Sequence, residues 1–307
     1  MMMKLLHAAL AACLSLVLPA GASGQTTHME TVAGQPARFT IETVGEGPDV
    51  VMIPGLSTPR EVWRPNAEKL AATHRVHLVQ IRGFGDHAGA NTDGPVLQPF
   101  VDELAAYLQA EKIADAAVIG HSMGGLAALM IGAQYPDLPG RIMVVDALPF
   151  IGVIFGAQDS VAIEGQAAAM RNMIVSAPQG ARNPAIDCSA VVNTGTPPPG
   201  NMTNTQRGAC MVAQWSGSAD KHVVGQAMYD DMVTDMRAGI AGITAPMTVV
   251  YGRDERGIPT AMMDQLYTSN YAAAPDTEFV PVDGSFHFVM LDQPEQMQAA
   301  LEAFLAK

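Results

Sequence analysis

One serine in the 307-residue chain stands where backbone geometry could make it reactive. Gly120-His121-Ser122-Met123-Gly124 lies between a short apolar run, residues 116–119, and a stretch rich in Ala, Leu and Met, residues 126–133. The first reads as a buried strand and the second as a helix, with no residues left between them for a loop. A serine on so tight a strand-to-helix turn is held in a strained conformation with its hydroxyl presented outward. Gly120 and Gly124 lack the Cβ atoms that would collide as the helix doubles back over the strand. The helix start also aims free N–H groups and a positive dipole end at charge forming on a bound molecule. A serine hydroxyl is a poor nucleophile at neutral pH, so it needs a base within hydrogen-bond reach and an acid to orient that base.

The elements that must hold such a serine are legible around it. Residues 50–53, 76–81, 141–145, 247–251 and 278–282 are short apolar runs bounded by turn residues, and each reads as a buried strand. Residues 30–33 and 38–44 read as two further strands joined by Gly34-Gln35-Pro36. Apolar residues at 97, 100, 101, 104, 105 and 108 fit one face of a helix over residues 97–110.

With these motifs in place the chain resembles the α/β-hydrolase family. The elbow at Ser122 is the first point of resemblance. Arg82-Gly83-Phe84-Gly85-Asp86 resembles the family's Arg-Gly-x-Gly-x-Ser loop, departing from it at Asp86-His87. Gly252 to Pro259 resembles the Gly-x-x-Asp-x-x-x-Pro segment that carries the family's catalytic acid. His287 falls where the family keeps its catalytic histidine, shortly before the Pro294-Glu295 helix start. The resemblance spans about residues 30–146 and 243–305.

It implies an α/β fold: a mostly parallel eight-stranded sheet flanked by helices, with a helical cap inserted after strand 6. Residues 23–146 and 243–307 would form the core and residues 147–242 the cap. The implied triad is Ser122, Asp254 and His287, in the order Ser…Asp…His that this fold uses. Asp146, which ends the strand after the elbow helix, is the other position at which some family members place the acid. The implied oxyanion-hole donors are the N–H groups of Leu56 and Met123, although Pro54 replaces the family's histidine before Gly55. His121 would be a packing residue of the elbow, and His87 a loop residue near the rim.

The implied cap carries Met170, Met173, Met202, Met211, Met228, Met232 and Met236. Flexible thioethers suit either an adaptable apolar pocket or an irregular core within the cap itself. Arg171 and Arg207 are the cap cations that could receive a substrate carboxylate. Cys188 and Cys210 are the two cysteines that remain once a leader is removed, so one disulfide is expected, with two buried thiols as the alternative.

That leader is residues 1–22. Lys4, an apolar stretch and Pro19-Ala20-Gly21-Ala22 make a secretory signal peptide cleaved after Ala22, placing the protein outside the cell or in a periplasm. Leu10-Ala11-Ala12-Cys13 offers a second processing route, lipidation at Cys13. A net charge of −13 without a Lys/Arg cluster gives nucleic acid no footprint. Neither a His-Glu-x-x-His metal motif nor a dinucleotide fingerprint is present, and the family's dehalogenases and epoxide hydrolases need aspartate where Ser122 stands. The expected activity is therefore acyl transfer to water without metal or cofactor. Its small-molecule substrates would be carboxylic esters of small to medium, mainly apolar groups. Amide, lactone or carbon–carbon cleavage on the same triad, or ligand binding without turnover, are the alternatives.

Overall fold

The computed structural model describes residues 36–178, 187–196, 198–200 and 202–307. The expected leader, Cys13 and the first expected strand, residues 30–33, lie outside them. Seven strands are described: β1 (Phe39–Val44), β2 (Asp49–Ile53), β3 (Arg75–Ile81), β4 (Ala116–His121), β5 (Pro139–Val145), β6 (Met247–Arg253) and β7 (Thr277–Asp283). They form one sheet in the order β1-β3-β2-β4-β5-β6-β7. Only β1 runs antiparallel to its neighbour; the other pairings are parallel. The helices are α1 (Arg64–Leu70), α2 (Leu97–Ala110), α3 (Met123–Gln134), α4 (Ser160–Ser176), α5 (Gln206–Ser218), α6 (Lys221–Val233), α7 (Thr260–Asn270), α8 (Val289–Asp292) and α9 (Pro294–Leu305).

The central strands are apolar on both faces because both faces are covered. Side chains alternate across a strand, so Val51 and Ile53 join one core with α2 and α3, while Val50 and Met52 join another with α1 and α9. Both clusters are continuous through β4, whose residues are all buried. No helix among the described residues is long and apolar enough to cross a membrane.

Helices α4, α5 and α6 come between β5 and β6, within the stretch expected to interrupt the core. Helices α4 and α6 share a small core with the segment after β5, in which Phe150, Ile163, Ala167 and Met232 are buried and Met170 and Met228 pack alongside. These methionines therefore fill the insertion itself, while Met173 is 62% and Met202 43% exposed. The insertion is tied to the sheet's loops at several points. Asp220 N–H donates to Gly83 O at 2.7 Å, and Ser57 Oγ lies 3.3 Å from Ser216 Oγ. Asp292 accepts from the Thr203 hydroxyl, from Asn204 N–H at 3.0 Å and from Phe286 N–H at 2.9 Å, so one buried carboxylate joins the insertion to the loop after β7.

Cys188 and Cys210 are bridged, linking a short 3-10 turn at residues 188–190 to α5 across a sequence separation of 22. Closing a loop of that length removes unfolded-state entropy worth about 3 kcal/mol. Replacing both cysteines by serine is therefore expected to lower the denaturation midpoint of the oxidised protein, read by chemical unfolding. Reduction of the unaltered protein should produce the same shift.

Candidate active site

Ser122 sits between the last residue of β4 and the first of α3 with φ 54° and ψ −127°. An L-residue held there costs about 1–3 kcal/mol, so the surroundings must over-determine it. They do. A Cβ on Gly120 would fall 2.0 Å from Gly124 O, and one on Gly124 would fall 2.5 Å from Pro54 O. Ser122 N–H donates to Val145 O at 2.9 Å, while Ser122 O accepts from Gly125 and Leu126 N–H. The elbow is thus clamped between β2, β5 and its own helix.

The loop after β2 lies against the serine. A Cβ on Gly55 would meet Ser122 Cβ at 2.9 Å. Leu56, the next residue, is held in a turn by Thr58 N–H to Gly55 O at 3.2 Å and Thr58 Oγ1 to Leu56 O at 3.0 Å. Met123 opens α3, so its N–H lies ahead of the helical ladder. Leu56 thus lies in the loop packed against the serine, and Met123 follows it at the start of α3.

His287 approaches from the loop after β7. Its carbonyl accepts from His121 Nε2–H at 3.0 Å, and the two imidazole rings lie 4.6 Å apart. Burial holds the pKa of His121 well below the usual histidine range, and the nearby His287 adds to this. His121 is consequently neutral, with its proton on Nε2, and serves to seat the His287 loop beside the elbow.

The acid that meets His287 is Asp146, not Asp254. His287 Nδ1 lies 2.7 Å from Asp146 Oδ2. Asp146 Oδ1 accepts from Gly252 N–H and from the Tyr267 hydroxyl, each at 3.0 Å. Burial and the neighbouring Asp146 charge push the Tyr267 pKa well above the phenolic range, so that hydroxyl remains a donor. Asp146 itself has φ 48° directly after β5. His121 and Val145 pair in the β4–β5 register, which puts Ser122 and Asp146 one step beyond the same rung of adjacent strands.

Asp254, the acid favoured from the sequence, has its carboxylate engaged elsewhere. Asp254 Oδ1 accepts from Arg256 N–H at 2.9 Å and Arg256 Nε at 2.7 Å, and Oδ2 accepts from the same guanidinium. The Arg256 hydrogen bonds hold the Asp254 carboxyl below the usual carboxylate range. The segment after β6 is thus a self-contained turn, closed further by Gly257 N–H to Asp254 O at 2.9 Å. Glu255 is likewise engaged locally, by Thr260 N–H at 3.2 Å.

A family model described as "Alpha/beta hydrolase family" matches residues 50–300. The chain belongs to the alpha/beta hydrolase family. A pimeloyl-[acyl-carrier protein] methyl ester esterase of Vibrio atlanticus is 23% identical over 263 residues, covering 86% of this chain and 96% of that protein. An enzyme of the same name from Aliivibrio salmonicida is 33% identical over 108 residues, 35% of this chain and 39% of its own length, so that match spans under half of the relative. The crystal structure of the enol-lactonase from Burkholderia xenovorans LB400 superposes with a TM-score of 0.63 at 18% identity, covering 90% of this chain and 99% of that one. At that identity the superposition speaks for the fold. The chain is a hydrolase of this family.

Arg171 and Arg207, the arginines that could receive a substrate carboxylate, each have a protein partner. Arg171 stacks on the Tyr229 ring at 5.0 Å, and Arg207 donates to Ser189 O at 2.8 Å. His87 is a loop residue whose Nε2 lies 2.9 Å from Arg82.

Proposed function

We propose that this α/β-hydrolase cleaves carboxylic esters through an acyl-enzyme formed on Ser122. His287 takes the serine proton and returns it to the leaving alcohol. Asp146 holds His287 in the tautomer with its proton on Nδ1 and stabilises the imidazolium that forms. Leu56 and Met123 N–H groups receive the oxyanion of each tetrahedral intermediate; loss of one such donor costs about 3 kcal/mol in comparable sites. Water then attacks the acyl-enzyme with His287 again as base. The observation that carries this reading is the 2.7 Å contact between His287 Nδ1 and Asp146, on a loop seated beside a strained serine elbow. Relatives named as methyl ester esterases support the ester as the bond cleaved.

The helices between β5 and β6 act as a cap. Val212 and Trp215 of α5 pack with Phe288, the residue after the histidine, and Ser216 reaches the turn after Gly55. Such a roof admits small to medium, mainly apolar acyl or alcohol groups. The signal peptide at residues 1–22 would export the enzyme, and the Cys188–Cys210 bridge suits an oxidising compartment.

The test is hydrolysis of p-nitrophenyl esters from acetate to decanoate by the mature protein. Turnover with an optimum at short or medium chain length supports the reading. A folded protein that cleaves no ester in the series contradicts it.

A further inference from the structure

We propose that Thr203 and Asn204, which lead into α5, are positioning residues for His287. Through Asp292 and Gly284 they hold the loop that carries the histidine beside Asp146 and the Ser122 elbow. The insertion then governs the chemical steps on every ester, the smallest included. The proposal rests on the esterase reading above and concerns the base of that same site.

His287 lies between Gly284, the first residue after β7, and Asp292, the last of α8. The core anchors this stretch at its start and at the histidine itself. Gly284 N–H donates to Arg253 O at 2.9 Å, and His121 Nε2–H donates to the His287 carbonyl at 3.0 Å. The insertion supplies the anchors around them. Asn204 Nδ2 donates to Gly284 O, which also accepts from Gln293 Nε2 at 2.8 Å. Phe288 N–H, next after the histidine, donates to Met202 O at 2.8 Å. Phe286 N–H, just before it, donates to Asp292 Oδ2 at 2.9 Å. Asp292 is in turn fixed by the Thr203 hydroxyl and by Asn204 N–H, 3.0 Å from Oδ1. The residues on both sides of His287 therefore take backbone anchors from residues 202–204, directly or through one carboxylate.

These bonds are shielded from water. Thr203, Asp292 and Phe288 are all buried, so a donor removed there leaves its acceptor unsatisfied. Burial pushes the Asp292 pKa up, and the donors from Thr203, Phe286 and Asn204 oppose that rise and favour the anion that accepts them all. The segment that does the holding is itself held. Thr205 caps α5 by accepting from Gly208 N–H at 3.0 Å, Arg207 N–H donates to Asn193 Oδ1 at 3.1 Å, and Cys210 on the same helix is bridged to Cys188. Trp215, further along α5, lies 6.2 Å from the Phe288 ring.

Placement matters because a base acts only within hydrogen-bond reach of the proton it takes, and a misplacement of about 1 Å costs about 10²-fold in rate. The 2.7 Å contact with Asp146 orients the imidazole ring. The backbone that carries the ring is placed by the residues around it, and there the insertion contributes.

The closing experiment measures kcat and KM for p-nitrophenyl acetate and p-nitrophenyl octanoate, with each thermal midpoint, in the unaltered protein, Thr203→Val, Thr203→Ser and Asn204→Ala. Valine removes the hydroxyl with little change of shape, and serine restores it. In Thr203→Val and Asn204→Ala, kcat is expected to fall about 10- to 100-fold on both esters alike, with KM within about 3-fold of the parent. Thr203→Ser should keep kcat within about 3-fold of the parent. Acetate is too small to reach far into the insertion, so an equal loss on the two esters marks the histidine. A loss confined to octanoate marks contact with the acyl chain and overturns the assignment. A lowered thermal midpoint with kcat unchanged in the folded protein marks bonds that serve stability alone, and overturns it too. Asn204→Ala leaves every donor to Asp292 in place, so it carries the test if Thr203→Val does not fold. Both overturning results leave the esterase reading standing, whereas no turnover of any ester by the folded parent overturns both.

Discussion

Ser122→Ala is expected to lower kcat/KM by about 10⁶ for any ester the protein cleaves. In the proposed mechanism the hydroxyl oxygen forms the acyl bond, and nothing beside it would substitute. Gly120, Gly124 and Gly55 surround it with backbone, and His121 is neutral and committed to the His287 carbonyl. The fold should survive the change. Alanine keeps the Cβ and takes the same φ of 54° at a similar cost, and the clamping hydrogen bonds of residue 122 are made by its backbone. Far-ultraviolet circular dichroism and the thermal midpoint should therefore match the parent while ester hydrolysis disappears. A folded variant retaining a tenth of the parent activity would show that another group attacks.

Asp146→Asn is expected to cost about 10³- to 10⁴-fold in kcat. The carboxylate accepts three hydrogen bonds, from His287, Gly252 N–H and the Tyr267 hydroxyl. An asparagine has one acceptor oxygen and one NH₂ group. The Gly252 and Tyr267 donors fix the oxygen on their side, so the NH₂ faces His287 Nδ1. That drives the imidazole proton to Nε2, where it blocks acceptance of the serine proton. Binding should change little, because Asp146 lies behind the histidine, so KM is expected to hold while kcat falls. Asp254→Asn breaks only the pair with Arg256, whose side chain is half exposed. Its effect on kcat is expected to be under about 3-fold. Steady-state kinetics on one ester with both variants reads the contrast.

Much of this architecture is written in local pattern. The helix over residues 97–110 was legible because all six of its periodic apolar residues face the core. The elbow was legible because Gly-x-Ser-x-Gly left no room between strand and helix. Two acids were legible, Asp254 by its motif and Asp146 by its place at a strand end, and which one lies beside His287 depends on where the loop after β7 reaches. A motif names Asp254, but Arg256 two residues later captures it, and that nearby cation was the available signal. The insertion was legible only as an interruption. Just Ile163 and Ala167 of α4 are buried, too few to mark a face. Helix α6 buries the acids Asp230 and Asp231 together with Val223 and Ala227, which breaks the apolar periodicity a reader would look for.

The most direct test of the central claim, that Ser122 is activated by His287 held by Asp146, is intact-mass spectrometry after reaction with an alkyl fluorophosphonate. A single adduct mapping to Ser122 is expected. Its rate of formation should fall sharply in His287→Ala and Asp146→Asn and stay near the parent value in Asp254→Asn. An adduct on another residue, or labelling slowed by Asp254→Asn and untouched by Asp146→Asn, would contradict it.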